Sequence, residues 1–325
     1  MNYLGIDLSK EYFDVTLLPE QGEKSQAKFD NNPSGFAKLG KWVQEKAARP
    51  FHACMEATNI YWEGLAQALH DQGQPVSVVN PARIKGHAMS QLRRSKTDKL
   101  DADVIADFCR AHQPRLWTPP TPEQRKLRNL VRQRDDFLQT MTQQKNRLTD
   151  CPEAEGKHRL QRLITFLTTE LELLEQEIEQ HIAQQPALAE SYRLLRSVKG
   201  LGPIASWTIL AEMPDIAEYE DAAAAAADAG VTPSHFESGD TVRRKSKVSK
   251  IGKASIRAVL YLPALAAMRW NPIIQPFVAR LEKNGKSKKV IIVAVMRKLI
   301  HLAYGVLKNK IPFDPNYGSR PLPAT

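Results

Sequence analysis

The sequence has few cysteines and no long apolar run, and each shortage excludes a class of protein. Cys54, Cys109 and Cys151 are its only cysteines, and their wide spacing fits neither a disulfide framework nor a zinc site. We expect them to be buried apolar side chains. No run of about 18 apolar residues occurs, as a transmembrane helix would require, and the N-terminus lacks a signal-peptide pattern. We therefore expect a cytoplasmic protein with no membrane partner.

Acidic residues are almost missing from one long segment. The 325-residue chain carries 46 Lys and Arg against 36 Asp and Glu, a net charge of +10. Residues 241–310 hold 17 of the basic residues and a single acid, Glu282, so this segment carries +16 and the remainder −6. Its basic residues alternate with Ile, Val, Leu and Tyr, unlike a solvated charge run. Such a concentration is typical of contact with a phosphate backbone, so we expect a nucleic-acid partner.

The first third of the chain shows the pattern of an α/β domain. Apolar alternation predicts three consecutive strands at residues 3–8, 12–18 and 24–30. Helix, strand, helix and strand then alternate, which gives the order βββαβαβ. Two further helices, at 82–92 and 98–113, precede a proline-containing break that is typical of a domain boundary.

Helices dominate the rest of the sequence. Residues 121–196 are rich in Leu, Gln, Glu and Arg, and they predict two long amphipathic helices joined near Asp150. We interpret them as a hairpin that spaces or dimerises domains, without chemistry of its own. The last third is predicted to be all-α with one informative loop, including helices at 253–270 and 288–308.

Four carboxylates stand where a metal site can form. Asp7 lies near the end of the first predicted strand and Glu56 at the end of the fourth. Asp98 and Asp101 are three residues apart at the start of a predicted helix, so both point from one face. If these elements adjoin, four negative charges converge, which requires one or two divalent cations, Mg²⁺ by ligand type. Two such ions would clamp the attacking and leaving oxygens of a phosphodiester.

Each of these acids alone has an ordinary explanation. Asp98 and Asp101 suit the first turn of a helix, and Asp7 suits a turn after a strand. Their order over a βββαβα pattern resembles ribonuclease-H-like nucleases, especially Holliday-junction resolvases of the RuvC type. Actin-like ATPases and sugar kinases also begin with an Asp-bearing hairpin, but they need glycine after that Asp. This chain has Leu8 and Ser9 there, which argues against them.

A glycine-containing turn in the last third suggests phosphate contact. The segment VKGLGP, residues 198–203, precedes an apolar helix and resembles a helix-hairpin-helix turn, whose backbone N–H groups hold DNA phosphate without reading sequence. A tight turn between packed helices explains the same residues equally well. The candidate contacts are Lys199, Gly200 and Gly202.

A serine beside several cations is a candidate nucleophile. Ser238 precedes a glycine and stands shortly before Arg243, Arg244 and Lys245. A serine so placed could attack a phosphodiester while the cations stabilise charge on phosphorus. Spacing alone does not establish that role, because most loop serines cap or solvate the backbone. The three basic residues are also candidate nucleic-acid contacts by charge and position.

Ordered motifs resemble one known family over most of the chain: the insertion-sequence transposases numbered one hundred and ten in their series, together with Piv-type invertases. Eight motifs span some 260 residues, which makes the resemblance specific. They are YLGIDLSKEYFDV, CMEAT, VSVVNP, KTDKLDA, SVKGLGP, AGVTP, FESG and RKSKVSKIGKASIRAVLYLPALAA.

The resemblance assigns roles to the residues that match it. Asp7, Glu56, Asp98 and Asp101 match the metal-binding carboxylates of the family, and Ser238 matches its serine nucleophile. The implied architecture is a RuvC-like domain at 1–118, a coiled-coil hairpin at 119–190 and a mainly α transposase domain at 191–325.

The resemblance also implies partners and a reaction. Family members are site-specific DNA recombinases guided by a non-coding bridge RNA from the element, which pairs with target and donor DNA. A homo-oligomer, a dimer or tetramer on DNA, is implied, with nucleoid association when DNA is bound. One alternative is a metal-dependent RuvC-like structure-specific nuclease without a covalent intermediate. The other is a degenerate copy that binds element RNA or DNA without chemistry.

Overall fold

The chain forms two compact units, Met1–Pro119 and Pro120–Thr325, in a computed structural model. The structure describes residues 1–46, 50–57, 60–91, 98–234, 237–238, 242–243, 247–248 and 252–316. At 98–100, 233–234, 237–238, 242–243 and 247–248 it describes the backbone only. The division into three domains stays a prediction.

The first unit is a five-stranded mixed sheet with helices, as the α/β pattern predicts. The strand order is β3-β2-β1-β4-β5, in which β1, β4 and β5 are parallel and β2 and β3 are antiparallel neighbours. The predicted βββαβαβ order and the two following helices are confirmed. The elements are β1 (Asn2–Leu8), β2 (Tyr12–Leu18), β3 (Ser25–Asp30), α1 (Pro33–Lys46), β4 (Phe51–Glu56), α2 (Glu63–Asp71), β5 (Val76–Val79), α3 (Pro81–Ser90) and α4 (Asp98–His112).

Strand alternation gives the sheet two different faces. On one face Leu4 and Ile6 of β1 pack in a cluster with side chains of α1 and α2, such as Leu39 and Leu65. On the other face Cys54 of β4 packs with side chains of α3 and α4. Because successive side chains point to opposite faces, residues 3, 5 and 7 of β1 lie on the α4 face.

The second unit begins with a helical hairpin. A capping box between Thr121 and Gln124 starts α5 (Pro122–Asp150), and a three-residue turn leads into α6 (Ala154–Gln184). Met141 packs with Leu167 and Leu171. Further along the hairpin, side chains of both helices belong to the largest core cluster of the unit. The predicted long helices are confirmed, whereas a supercoiled coiled coil stays a prediction.

The remainder of this unit is mainly helical, with two corrections to the sequence interpretation. The helix predicted at 253–270 is broken at Leu260, because continuing it would require an N–H at Pro263. The predicted loop contains four two-residue strands. The elements are α7 (Pro186–Ser197), α8 (Pro203–Glu212), a 3₁₀ turn (Ile216–Glu218), α9 (Ala222–Asp228), β6 (Pro233–Ser234), β7 (Glu237–Ser238), β8 (Val242–Arg243), β9 (Lys247–Val248), α10 (Ala254–Val259), α11 (Tyr261–Trp270), α12 (Ile274–Lys283) and α13 (Lys288–Asn309).

The last helix, α13, is the central helix of the second core. By length and composition it is the one helix in the described part of the chain that could cross a membrane. Its apolar side chains, including Val295 and Leu299, are buried in the main cluster of the unit beside α7, α9, α11 and α12. Burial on this scale is what a core helix of a folded unit shows.

The cysteines divide between the two units. Cys54 and Cys109 are fully buried on the α4 face of the sheet, as expected of apolar fillers. Hydrogen bonding between these two thiols, together with burial, raises the pKa of Cys109 far above its ordinary value. Cys151 is only half-buried at the end of α5, so the expectation of burial is wrong for this residue.

Candidate functional site

Asp7 and Glu56 lie side by side at the ends of neighbouring strands. Parallel β1 and β4 pair Gly5 with Cys54 and Ile6 with Met55, so the next residue of each strand, Asp7 or Glu56, follows in register. Both side chains belong to the α4 face, because Gly5 and Cys54 two residues earlier face α4. Both carboxylates are half-buried.

Helix α4 rests directly on this part of β1. A Cβ atom added to Gly5 would lie 2.2 Å from Ala102 O and 2.2 Å from Ala106 N, so only glycine allows the helix to approach so closely. Asp101 precedes Ala102 in the first turns of α4 and is half-buried. The first turns of α4 therefore bring Asp101 to the sheet face that carries Asp7.

The fourth predicted carboxylate lies only partly within the described structure. Asp98 is the first residue of α4, three residues before Asp101, and its side chain lies outside the described residues. Among the side chains that are described, no group of three His, Cys, Asp or Glu is placed to hold a metal ion. The structure therefore brings Asp7 and Glu56 together and sets Asp101 on the same face, and a complete metal site stays a proposal.

Two residues that the sequence did not single out lie beside Asp7 in the neighbouring strands of the sheet. Antiparallel β2 pairs Asp14 with Asp7, and β3 pairs Lys28 with Asp14. Asp7 therefore has a carboxylate on either side, an arrangement that a nearby cation stabilises. Asp14 is only 4% exposed, and Lys28 Nζ lies 3.6 Å from its Oδ2 and 3.2 Å from the centre of the Tyr12 ring.

We expect Lys28→Met to destabilise the first unit by about 1–2 kcal/mol, because it leaves the buried Asp14 carboxylate without this cation. Urea unfolding followed by circular dichroism measures the change. Lys38→Met, an exposed position on α1, is the control and should change little. Equal stability of the two variants would show that the Lys28 ion pair contributes nothing.

The glycine turn of the second unit packs against a helix. Gly200 has φ +113°, and a Cβ atom there would lie 2.7 Å from Ala267 Cβ on α11. Asn271 Nδ2 donates a hydrogen bond to Lys199 O at 2.8 Å. Gly202, by contrast, has open space around its Cα and precedes the first residue of α8. Gly200 therefore has a packing role, and phosphate contact by Lys199, Gly200 and Gly202 stays a proposal.

The candidate nucleophile lies in a short hairpin. Ser238 ends β7 and pairs with Val242, and Glu237 pairs with Arg243 on β8. The pairing brings the backbone of Ser238 and that of Arg243 into adjacent strands. The side chains of both residues, and the whole of Arg244 and Lys245, lie outside the described residues.

Two transposase family models match separate parts of the chain, and several curated proteins are similar to it over most of its length. A transposase family model named for IS110 and a DEDD motif matches residues 4–151, and a model described as "Transposase IS116/IS110/IS902 family" matches residues 192–279. The chain is 32% identical over 315 residues to the "Pilin gene-inverting protein" of Moraxella bovis, covering 96% of this chain and 97% of that protein.

Two other relatives are similar over most of their length. The "Pilin gene-inverting protein" of Moraxella lacunata is also 32% identical over 315 residues, covering 96% of this chain and 97% of that protein. The "Transposase for insertion sequence element IS1111A" of Coxiella burnetii is 23% identical over 300 residues, covering 82% of this chain and 78% of that protein.

Proposed function

The chain belongs to the IS110 family of transposases with pilin gene-inverting relatives, and on that premise we propose that it is an RNA-guided, site-specific DNA recombinase of an insertion sequence. Membership makes it an enzyme that acts on DNA. We further propose which residues carry out the reaction, and that the reaction uses a metal ion, a guide RNA and a covalent protein–DNA intermediate.

The adjacency of Asp7 and Glu56 is the observation that carries the proposal. Two carboxylates at neighbouring ends of parallel strands, with Asp101 on the helix that covers them, are what a metal-dependent phosphodiester enzyme requires. The strand order β3-β2-β1-β4-β5 supports a RuvC-like assignment for this unit.

The family uses divalent metal, and the donor set of this chain fits a hard cation. Carboxylate oxygens are the ligands that Mg²⁺ prefers, and Asp7 stands between Asp14 and Glu56, where negative charge accumulates. We propose that Asp7, Glu56, Asp98 and Asp101 hold one or two Mg²⁺ ions. Bound there, Mg²⁺ would stabilise negative charge on the phosphate oxygens and position the reacting groups.

Ser238 is the proposed nucleophile. Its Oγ forms a bond to phosphorus while the bond from phosphorus to the leaving strand oxygen breaks, and that oxygen takes up a proton. The product is a phosphoserine diester that retains the energy of the broken bond. A strand hydroxyl then attacks the same phosphorus, the new strand forms, and Ser238 Oγ regains its proton. Arg243, Arg244 and Lys245 are proposed to stabilise charge on phosphorus and to contact the backbone.

Base pairing is the proposed source of sequence specificity. The segment 241–310 carries +16, which supports phosphate contact without base reading. A bridge RNA that pairs with target and donor DNA would recognise their base sequences.

We further propose a dimer or tetramer on DNA, a cytoplasmic location with nucleoid association when bound, and a coiled-coil role for α5 and α6.

Carboxylate substitution tests the metal site. We expect Asp7→Asn and Glu56→Gln to lower Mg²⁺-dependent strand cleavage by about a hundredfold or more, since each removes a charged metal ligand. Asp71→Asn changes an exposed acid at the end of α2 and should cleave like the unaltered chain. Cleavage is measured on labelled target DNA with the element RNA, over a Mg²⁺ titration. Unchanged cleavage in Asp7→Asn would overturn the assignment.

A further inference from the structure

Two histidine rings face each other where α3 packs against α4. His112 is the last residue of α4, and its Nε2 lies 3.3 Å from Nδ1 of His87 on α3. The Phe108 ring packs against both imidazoles, with its centroid 5.5 Å from that of His87 and 4.7 Å from that of His112. The His87 side chain is only 9% exposed, whereas His112 is exposed. An ion in solution can therefore reach the pair from the His112 side.

A carboxylate holds the other ring nitrogen of His87. Asp107 Oδ2 lies 3.0 Å from His87 Nε2, and an ionised carboxylate only accepts hydrogen bonds. Gln91 Nε2 donates to the same oxygen, which brings it within 3.1 Å of His87 Nε2, and Arg110 donates to Oδ1. Burial raises the pKa of Asp107, but these hydrogen bonds outweigh burial and lower it below its ordinary value, so the carboxylate is ionised at neutral pH. Nε2 of His87 therefore carries the ring hydrogen, and its Nδ1 presents a lone pair toward His112.

The spacing of the two facing nitrogens is that of a metal-bound pair. Nitrogens that bind Zn²⁺ at about 2.0–2.1 Å with a tetrahedral angle between them lie about 3.3–3.4 Å apart, and His87 Nδ1 and His112 Nε2 are 3.3 Å apart. A hydrogen bond from the second ring nitrogen to a carboxylate is also what orients histidine ligands around zinc. Imidazole suits Zn²⁺ and Cu²⁺, whereas Mg²⁺ prefers oxygen ligands.

We infer that His87 and His112 form a Zn²⁺ site in which Asp107 is a positioning residue. The ring hydrogen of neutral His112 moves from Nε2 to Nδ1 through water, so that Nε2 binds the ion without net release of a proton. Water completes the four ligands, because no group of three His, Cys, Asp or Glu among the described side chains is placed to hold a metal. Asp101 is eleven residues from His112 along α4, about 16 Å, so this site is separate from the proposed Mg²⁺ site and does not depend on the recombinase chemistry.

Calorimetric titration of Zn²⁺ into the full chain, with Mg²⁺ in excess to occupy sites of oxygen ligands, tests the histidine pair. We expect His112→Gln to raise the Zn²⁺ dissociation constant by about a hundredfold, since it removes one of two protein ligands. His158→Gln changes an exposed histidine of α6 and should leave the constant within about threefold. Circular dichroism of the same samples confirms that both variants are folded. Equal constants for the two variants, or no Zn²⁺ binding by the unaltered chain, would overturn the inference.

Removal of a carboxylate charge tests the positioning role of Asp107. Asp107→Asn should weaken Zn²⁺ binding by about tenfold, as loss of the hydrogen-bonding partner of a histidine ligand does. Asp71→Asn is the matched control, because Asp71 lies 3.6 Å from Nδ1 of an exposed histidine, His70, and it should bind Zn²⁺ as the unaltered chain does. A folded Asp107→Asn chain with unchanged Zn²⁺ affinity would contradict the positioning role.

Substitution of Cu²⁺ for Zn²⁺ identifies the ligand atoms. Cu²⁺ binds nitrogen ligands more tightly than Zn²⁺ does, and bound imidazole nitrogen splits its electron paramagnetic resonance signal. We expect splitting from two imidazole rings in the unaltered chain and from one ring in His112→Gln. A spectrum of oxygen ligands alone in the unaltered chain would show that the ion binds carboxylates, and it would overturn the assignment of the site to His87 and His112.

Discussion

We expect the Ser238→Ala chain to give no covalent protein–DNA product, and the unaltered chain to give one in the presence of Mg²⁺, element RNA, target and donor DNA. Alanine lacks the oxygen that would hold the strand, so the phosphoserine cannot form. RNA binding should persist, because the basic segment and the carboxylates are unchanged. A denaturing gel that separates free from protein-linked DNA measures the result.

Ser234→Ala is the matched control for this substitution. Ser234 lies in β6, four residues before Ser238, and the account gives it no chemistry. The control should form the product as the unaltered chain does. Cleavage that survives in Ser238→Ala without any linked product would make the protein a metal-dependent nuclease and would reduce the FESG serine to a structural role.

The second large effect is expected from one methyl group. Gly5→Ala should destabilise the first unit by about 3 kcal/mol, at the upper end of overpacking costs, because the added carbon meets the backbone of α4 rather than a flexible side chain. The helix must move away from β1, and Asp101 moves with it. We therefore expect loss of strand cleavage together with the loss of stability in urea unfolding.

Gly86→Ala provides the comparison for Gly5→Ala. Gly86 lies in α3 with open space around its Cα, so alanine should stabilise that helix by up to about 1 kcal/mol. Cleavage by Gly86→Ala should be unchanged. If Gly5→Ala were as stable and as active as Gly86→Ala, close packing of α4 on β1 could not be what positions Asp101.

Local patterns predicted the first unit well for a physical reason. In β1 and β2 apolar residues alternate with other residues, as Leu4 and Ile6 do with Gly5 and Asp7, and α1 and α2 each bury an apolar side. The same local patterns predicted that Asp7 lies near the end of β1 and Glu56 at the end of β4. The two-residue strands and the break at Leu260 are less visible, because they depend on non-local pairing and on a single proline.

Other parts of the site depend on register and could not be obtained from local patterns. The pairing of Asp7 with Asp14 follows from the length of the turn between β1 and β2. Asp14 alone looks like any acid in a strand, and its buried contact with Lys28 requires the third strand in place. The close approach of α4 to Gly5 is likewise set by tertiary packing, which local sequence patterns do not predict.

Identification of the residue that holds the DNA tests the central claim most directly. The covalent product, formed with Mg²⁺, element RNA and both DNA partners, is digested with nuclease and protease and its modified peptide is sequenced by mass spectrometry. The account predicts a nucleotide phosphate on Ser238, absent when RNA or Mg²⁺ is omitted. A phosphate on any other residue, or strand exchange without a linked peptide, would contradict it.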